Sequence, residues 1–233
     1  MSERDDRVVA DPLDRLGRRG RLAGVILAGG SSRRYGHDKA LALLGGAPLL
    51  QWVADRIRPQ VNELVVSGNT RQGFDFRIIP DERPDAGPLA ALCSILDWAG
   101  REGFPLVMTA SCDTPFVPRD IGRVLHASLA DHDCAVASRG GTMHPTCALW
   151  RTARRAGVRT AFEAGVRSLH GAISRVSAIA VDISTANGPG GDPFFNINSQ
   201  ADMAVVQAWL AEGRRSEYGA AVGAISALSS HGA

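Results

Sequence analysis

Short apolar runs alternate with segments of helical spacing through the middle of the chain. Ala23-Gly24-Val25-Ile26 is a continuous apolar run, the pattern of a strand covered on both faces. Glu63-Leu64-Val65-Val66-Ser67 and Arg77-Ile78-Ile79-Pro80 repeat it, and 104–109 predicts a central strand. Leu49, Leu50, Trp52, Val53 and Ile57 recur near helical spacing behind Pro48, a residue suited to a first helical turn. Gly87-Pro88-Leu89 opens a second helix running to about Trp98, and 118–129 predicts an amphipathic third. Strands over 134–137, 147–150 and 177–182 follow, with helices over 151–159 and 160–175. The breaker-rich run 185–193 is a loop. A last helix from 200 to about 211 begins where Ser199 and Asp202 have capping-box spacing. This alternation predicts an α/β fold with a parallel sheet, whose ligands bind beyond the carboxyl ends of the strands.

Composition changes little in this picture. A chain of 233 residues suits one sizeable core, and 45% hydrophobic with 21% charged residues is ordinary for a globular protein. A net charge of +2 points to neither nucleic acid nor membrane as a partner. Cys93, Cys112, Cys134 and Cys147 form no C-x-x-C pair, so reduced thiols and a cytoplasmic location are expected. No apolar run reaches the length of a transmembrane helix, and no signal peptide is visible at the N-terminus. Residues 1–21 are expected to form a disordered extension or a partner-binding arm, 22–212 the folded domain, and 213–233 a tail left unassigned.

The chemistry concentrates in loops at predicted strand ends. After the first strand comes Leu27-Ala28-Gly29-Gly30-Ser31-Ser32-Arg33-Arg34-Tyr35-Gly36-His37-Asp38-Lys39. Paired glycines let successive N–H groups approach phosphate oxygens, and arginine and lysine bring positive charge to the same place. No Gly-Lys-Ser/Thr closes the loop and the G-x-G-x-x-G spacing is absent, so it is neither a Walker loop nor a dinucleotide fingerprint. Ser67 and Asp81 fall at the next two strand ends. Gly87 allows close approach of a ligand or a tight helix start. Asp113, after the central strand, is placed either to hold magnesium or to make a turn. His144 precedes a proline, where it could orient a phosphate, act as a base or be structural. In Phe194-Phe195-Asn196-Ile197-Asn198 a strand would aim both asparagine amides at one face; Asn198 could instead assist the helix cap. No activated nucleophile is evident. That absence suits a reaction whose attacking phosphate is already ionised, so the residues alone reach nucleotidyl transfer and stop.

The order Leu27–Gly30, Arg34-Tyr35-Gly36, Asp38-Lys39 resembles the MobA family, the molybdenum cofactor guanylyltransferases. Gly87-Pro88-Leu89, Cys112-Asp113-Thr114-Pro115, His144-Pro145-Thr146 and Asn196-Ile197-Asn198 are similar to further family elements, and together they span roughly 23–210. Departures are Tyr35 for the usual methionine, Ala91 for glycine, Ser67 for a frequent asparagine, and Ser199-Gln200 for Thr-Pro.

The resemblance implies a Rossmann-like three-layer α/β/α nucleotidyltransferase fold with a mostly parallel mixed sheet. It implies GMP transfer from GTP to Mo-molybdopterin, with Mg2+ held by Asp113. Leu27, Ala28, Gly29, Gly30, Lys39, Ser67, Asp81, Gly87 and Asp113 would bind GTP. Arg34, Lys39 and Asp113 would be catalytic, and Asn196, Asn198 and His144 would face the pterin. Molybdopterin-synthesis and molybdoenzyme-chaperone proteins are the implied protein partners. Two other readings remain: transfer of CMP to the same pterin, or of a nucleotide to another phosphorylated small molecule, and a catalytically silent nucleotide-binding partner. Gly29-Gly30 favours guanine over cytosine, and the joint presence of Arg34, Lys39 and Asp113 favours an enzyme.

Overall fold

The computed structural model describes residues 21–29, 38–68, 75–84 and 86–213. Gly30, Arg34 and Tyr35 lie outside the described residues, as do 1–20 of the expected extension and the tail from 214 onward. The chain groups into two compact units, 1–30, 54–111 and 119–184 in the first and 31–53, 112–118 and 185–233 in the second.

In chain order the strands are β1 (Leu22–Leu27), β2 (Leu43–Leu44), β3 (Ala47–Pro48), β4 (Glu63–Ser67), β5 (Arg77–Ile79), β6 (Leu106–Ser111), β7 (Cys134–Arg139), β8 (Thr142–Arg151) and β9 (Ala178–Asp182). The helices are α1 (Leu49–Ile57), α2 (Pro88–Arg101), α3 (Ile121–Leu129), α4 (Arg155–Glu163), α5 (Leu169–Ile173) and α6 (200–213).

The first unit carries a seven-stranded sheet in the order β5-β4-β1-β6-β8-β7-β9. β1 pairs in parallel with β4 and β6, β4 with β5, and β7 with β9, whereas β8 runs antiparallel to both β6 and β7. The sheet is therefore mixed and mostly parallel. Period-two alternation along β1 sends Ala23 and Val25 into a core with Leu89, Leu92, Ile95 and Leu96 of α2 and with Phe162 and Ile173 of α4 and α5. On the opposite face Gly24 leaves room for Val61 and Ile57, and Gly122 at the start of α3 packs on Met108 of β6. Helices cover both faces, giving three layers.

Several boundaries differ from expectation. The central strand starts at Leu106, two residues late, because Phe104 is buried in the core against Trp98. β8 reaches back through His144-Pro145-Thr146, and Pro145 is tolerated beside a register shift in β7 between Val136 and Ser138. The expected helix break between 159 and 160 is absent, since Val158, Ala161 and Phe162 form one continuous buried stripe. α4 stops at Glu163 instead, with Gly165 just beyond it, and Ser168 caps α5 by accepting from Gly171 N.

The second unit contains the β2–β3 hairpin, which turns through Gly45-Gly46 at φ 60 and 92. Two central residues with positive φ are what a two-residue hairpin turn demands. Its core joins Leu44, Leu49, Phe116, Ile197, Met203 and Val206, with Trp209 set edge-on to Phe116 at 4.9 Å.

Candidate active site

In the first unit, the carboxyl ends of β1, β4 and β5 converge. Ala28 N donates to Ser67 O and Gly68 N to Ile79 O, both at 3.1 Å. Gly68 has φ 127, and a Cβ there would lie 3.2 Å from Gly29 N and 3.3 Å from the Ala28 carbonyl carbon. Only glycine lets these two strand-end backbones come so close. Ser67 is buried and its Oγ donates to Asp81 Oδ1 at 3.1 Å. Asp81 Oδ2 lies 3.4 Å from where a Gly29 Cβ would stand. Burial raises the Asp81 carboxyl above its ordinary range, and the Ser67 hydrogen bond offsets part of that rise. Glu82 N donates to Ser94 Oγ on α2, tethering the segment that carries Asp81. Leu27, Ala28, Gly29, Ser67 and Asp81 are thus brought to one sheet edge, as a ligand site beyond parallel strands requires.

Gly87 has a local reason of its own. Its φ is 90, a Cβ there would stand 3.0 Å from Arg167 O, and Leu89 N donates to that same carbonyl. The tight start of α2 against residue 167 therefore already requires glycine at this position.

In the second unit, Lys39 begins a single 3₁₀ turn, Lys39–Leu41, capped by Asp38 through Ala40 N. Lys39 Nζ donates to Asp113 Oδ2 and to Asn198 Oδ1, both at 2.7 Å. The Lys39 and Asp113 side chains are only 15% and 16% exposed. Asp113 is held by its own backbone, whose carbonyl accepts from Ile197 N at 3.0 Å. An ammonium has three donors, so one remains for a further acceptor once these two are made.

Asp113 Oδ1 is buried and has no hydrogen-bond partner among the described residues. A buried carboxylate oxygen without a donor is costly unless something positive meets it. No group of three His, Cys, Asp or Glu side chains suited to a metal occurs among the described residues. A cation here would take one protein carboxylate and complete its shell with water and substrate oxygens, the usual arrangement for magnesium. The residues fit that ion.

Asn196 and Asn198 do not lie on a strand. No ladder forms over 194–198, because Asp192 takes the amides of Phe194 and Phe195 and Asp202 takes that of Asn198. Burial still alternates, with Ile197 inside and both asparagines exposed. Asn198, expected at the pterin, accepts from the Lys39 Nζ that also donates to Asp113. His144 sits on β8 in the first unit. A cavity of about 400 Å3, lined by Asp38, Leu41, Leu43, Gln200, Met203 and Gln207, flanks this cluster along the chain. Sequence reading did not find it; exposed Leu41 and Leu43 beside the Asp38-Lys39 pair were the available signal.

The four cysteines are buried and form no disulfide. Burial pushes the Cys93 thiol up to about 11 and those of Cys134 and Cys147 up to about 12, which disfavours their thiolate forms.

Residues 24–177 match the family model described as the MobA-like NTP transferase domain. A molybdenum cofactor guanylyltransferase of Cereibacter sphaeroides is 39% identical over 195 residues, covering 82% of this chain and 97% of that protein. Another, of Rhodobacter capsulatus, is 37% identical over 189 residues, covering 79% and 94%. Among solved structures, molybdopterin-guanine dinucleotide biosynthesis protein A from Archaeoglobus fulgidus superposes with a TM-score of 0.66 at 20% identity, covering 82% of this chain and 99% of that one. A 2-C-methyl-D-erythritol 4-phosphate cytidylyltransferase from Thermus thermophilus gives 0.58 at 21% identity, covering 80% and 97%. The fold is that of the α/β nucleotidyltransferases, and the chain belongs to the MobA family of molybdenum cofactor guanylyltransferases.

Proposed function

We propose that this protein transfers GMP from GTP to Mo-molybdopterin, forming molybdopterin guanine dinucleotide and pyrophosphate. The observation that carries the chemistry is Lys39 Nζ shared between Asp113 Oδ2 and Asn198 Oδ1, with Asp113 Oδ1 buried and unpaired. An oxygen of the acceptor's phosphate attacks the α-phosphorus of GTP. A new P–O bond forms, the bond from the α-phosphorus to the bridging oxygen breaks, and pyrophosphate leaves with that electron pair. No proton need be removed, so the protein's task is alignment and charge stabilisation.

Lys39 donates its remaining N–H to a phosphate oxygen where negative charge builds up, and Arg34 adds charge to the leaving pyrophosphate. Asp113 would hold magnesium, which when bound would neutralise phosphate charge. Leu27, Ala28, Gly29, Gly30, Ser67 and Asp81 receive the nucleotide. The acceptor's pterin occupies the cavity beside Asp38 and Gln200, whose amide and carboxylate groups suit the donors and acceptors of a polar heterocycle. No helix among the described residues is long and apolar enough to cross a membrane. We assign the reaction to the cytoplasm, with the product passed to molybdoenzyme-directed proteins.

The test supplies each labelled nucleoside triphosphate in turn with molybdopterin, for the native protein and Asp113→Ala, with and without magnesium. GTP-selective, magnesium-dependent transfer that the substitution abolishes is expected. Selectivity for CTP overturns the guanine assignment, and tight GTP binding without any transfer overturns the enzymatic one.

A further inference from the structure

We infer that Asp202 is a positioning residue for the reactive lysine, acting through Asn198. Asp202 Oδ2 accepts from Ser199 N at 2.8 Å and Ser199 Oγ at 2.9 Å, while Ser199 Oγ accepts from Asp202 N at 3.2 Å. Those bonds make up the reciprocal capping box that starts α6. One more bond goes beyond it: Asp202 Oδ2 also accepts from Asn198 N at 2.9 Å. Asn198 precedes the N-cap, and the helix does not need its amide fixed.

What the extra bond fixes is the residue whose Oδ1 accepts from Lys39 Nζ. The neighbouring anchor is the Ile197 N bond to Asp113 O. Asn198 is thus clamped on one side to the backbone of Asp113 and on the other to the carboxylate of Asp202. The result is a continuous hydrogen-bonded path from Asp202 through Asn198 and Lys39 to Asp113. Asn198 is exposed, so packing does not hold it in place; the clamp fixes the backbone from which its side chain reaches Lys39. The hydrogen bonds from Ser199 and Asn198 also keep the Asp202 carboxyl below its ordinary range, so it stays an acceptor. The positive charge of Lys39 lowers the Asp202 carboxyl further, but Asp202 reaches the lysine by hydrogen bonds through Asn198.

This inference rests on the role proposed for Lys39, and its test separates the two. Full-length Asp202→Ala, Ser199→Ala, Asn198→Ala and the Asp202→Ala/Asn198→Ala double variant are compared in kcat, KM for GTP and unfolding midpoint. Asp202→Ala and Ser199→Ala each remove half of the capping box, so both lower the midpoint. Only Asp202→Ala lowers kcat, by about tenfold or more with KM for GTP little changed, since small misplacements of a reacting group cost at least this much. The double variant is no slower than Asn198→Ala alone, and Asp202→Glu recovers much of the loss. Equal kcat losses in Asp202→Ala and Ser199→Ala, or additive losses in the double variant, overturn the inference. A crystal structure of Asp202→Ala gives a readout independent of activity: Asn198 is expected to leave Lys39, and an unchanged contact overturns the path. If that contact breaks while the native protein transfers no GMP, the path stands and the functional reading falls.

Discussion

Lys39 Nζ lies 2.7 Å from Asp113 Oδ2, joining residues 74 apart in the chain inside a largely shielded site. The pair concentrates both charges that nucleotidyl transfer requires, and each charge is held partly by the other. Asp113→Asn keeps the shape and removes the charge. It is expected to lower kcat on the order of 10²–10³ while the protein stays folded, as measured by initial rates and circular dichroism.

Removing the other partner acts first on stability. Lys39→Met leaves a buried carboxylate without its cation and should cost about 1–3 kcal/mol in urea denaturation. Adding Asp113→Asn takes away the stranded charge. The double variant is therefore expected to be more stable than Lys39→Met alone, and a less stable double variant would show that the two side chains are not energetically coupled.

Much of this arrangement was legible in the sequence, for stated physical reasons. The apolar runs that became β1 and β4 are buried on both faces and the shorter β5 buries Ile79, so Ser67 and Asp81 stood out as strand-end residues. The capping box at Ser199 and Asp202 was legible because both partners are local. The direction of β8 was not, since nothing in a run such as Cys147–Trp150 records which neighbours it will pair with. The β2–β3 hairpin was announced by Leu43-Leu44-Gly45-Gly46 but is too short to show periodicity. The end of α4 was marked by Gly165 and the start of α5 by Ser168, both stronger signals than the boundary chosen between them. The bond from Lys39 to Asn198 spans 159 residues, and no local pattern carries such a contact.

Gly68→Ala tests the close approach at the strand ends. With φ 127 and backbone atoms 3.2–3.3 Å from the new Cβ, the substitution should destabilise by about 1–3 kcal/mol. Displacement of Ala28 and Gly29 should also raise KM for GTP, as steady-state kinetics would report.

Asp81 predicts a pH dependence of stability. Its folded carboxyl titrates above the ordinary range because burial disfavours the charged form. The folded protein therefore binds a proton more readily than the unfolded chain, and stability falls as pH rises from the unfolded value through the folded one. Asp81→Asn removes this dependence. Denaturation curves of the variant and native protein should draw together as pH is lowered through that window and separate above it, with the variant the more stable at neutral pH.

Leu43 lines the same cavity as Asp38, the neighbour of Lys39, and is 59% exposed. Leu43→Asp should leave the unfolding midpoint nearly unchanged, since exposed substitutions shift stability by about 0.5 kcal/mol or less. It is expected to raise KM for the pterin acceptor and to leave KM for GTP alone. A matching rise for GTP would assign the cavity to the nucleotide.

The second unit is drawn from three stretches of chain, and the hydrogen-bonded side chains of Lys39, Asp113 and Asn198 come one from each. Lys39 and Asp113 emerge early during synthesis, but Asn198 and Asp202 follow only after the whole sheet has been made. Closing so long a loop adds little entropy beyond that of a shorter one, so the delay is set by the order of synthesis rather than by thermodynamics. A chain still on the ribosome has therefore made the strand ends around Ser67 and Asp81 well before it has made every member of the Lys39, Asp113 and Asn198 cluster.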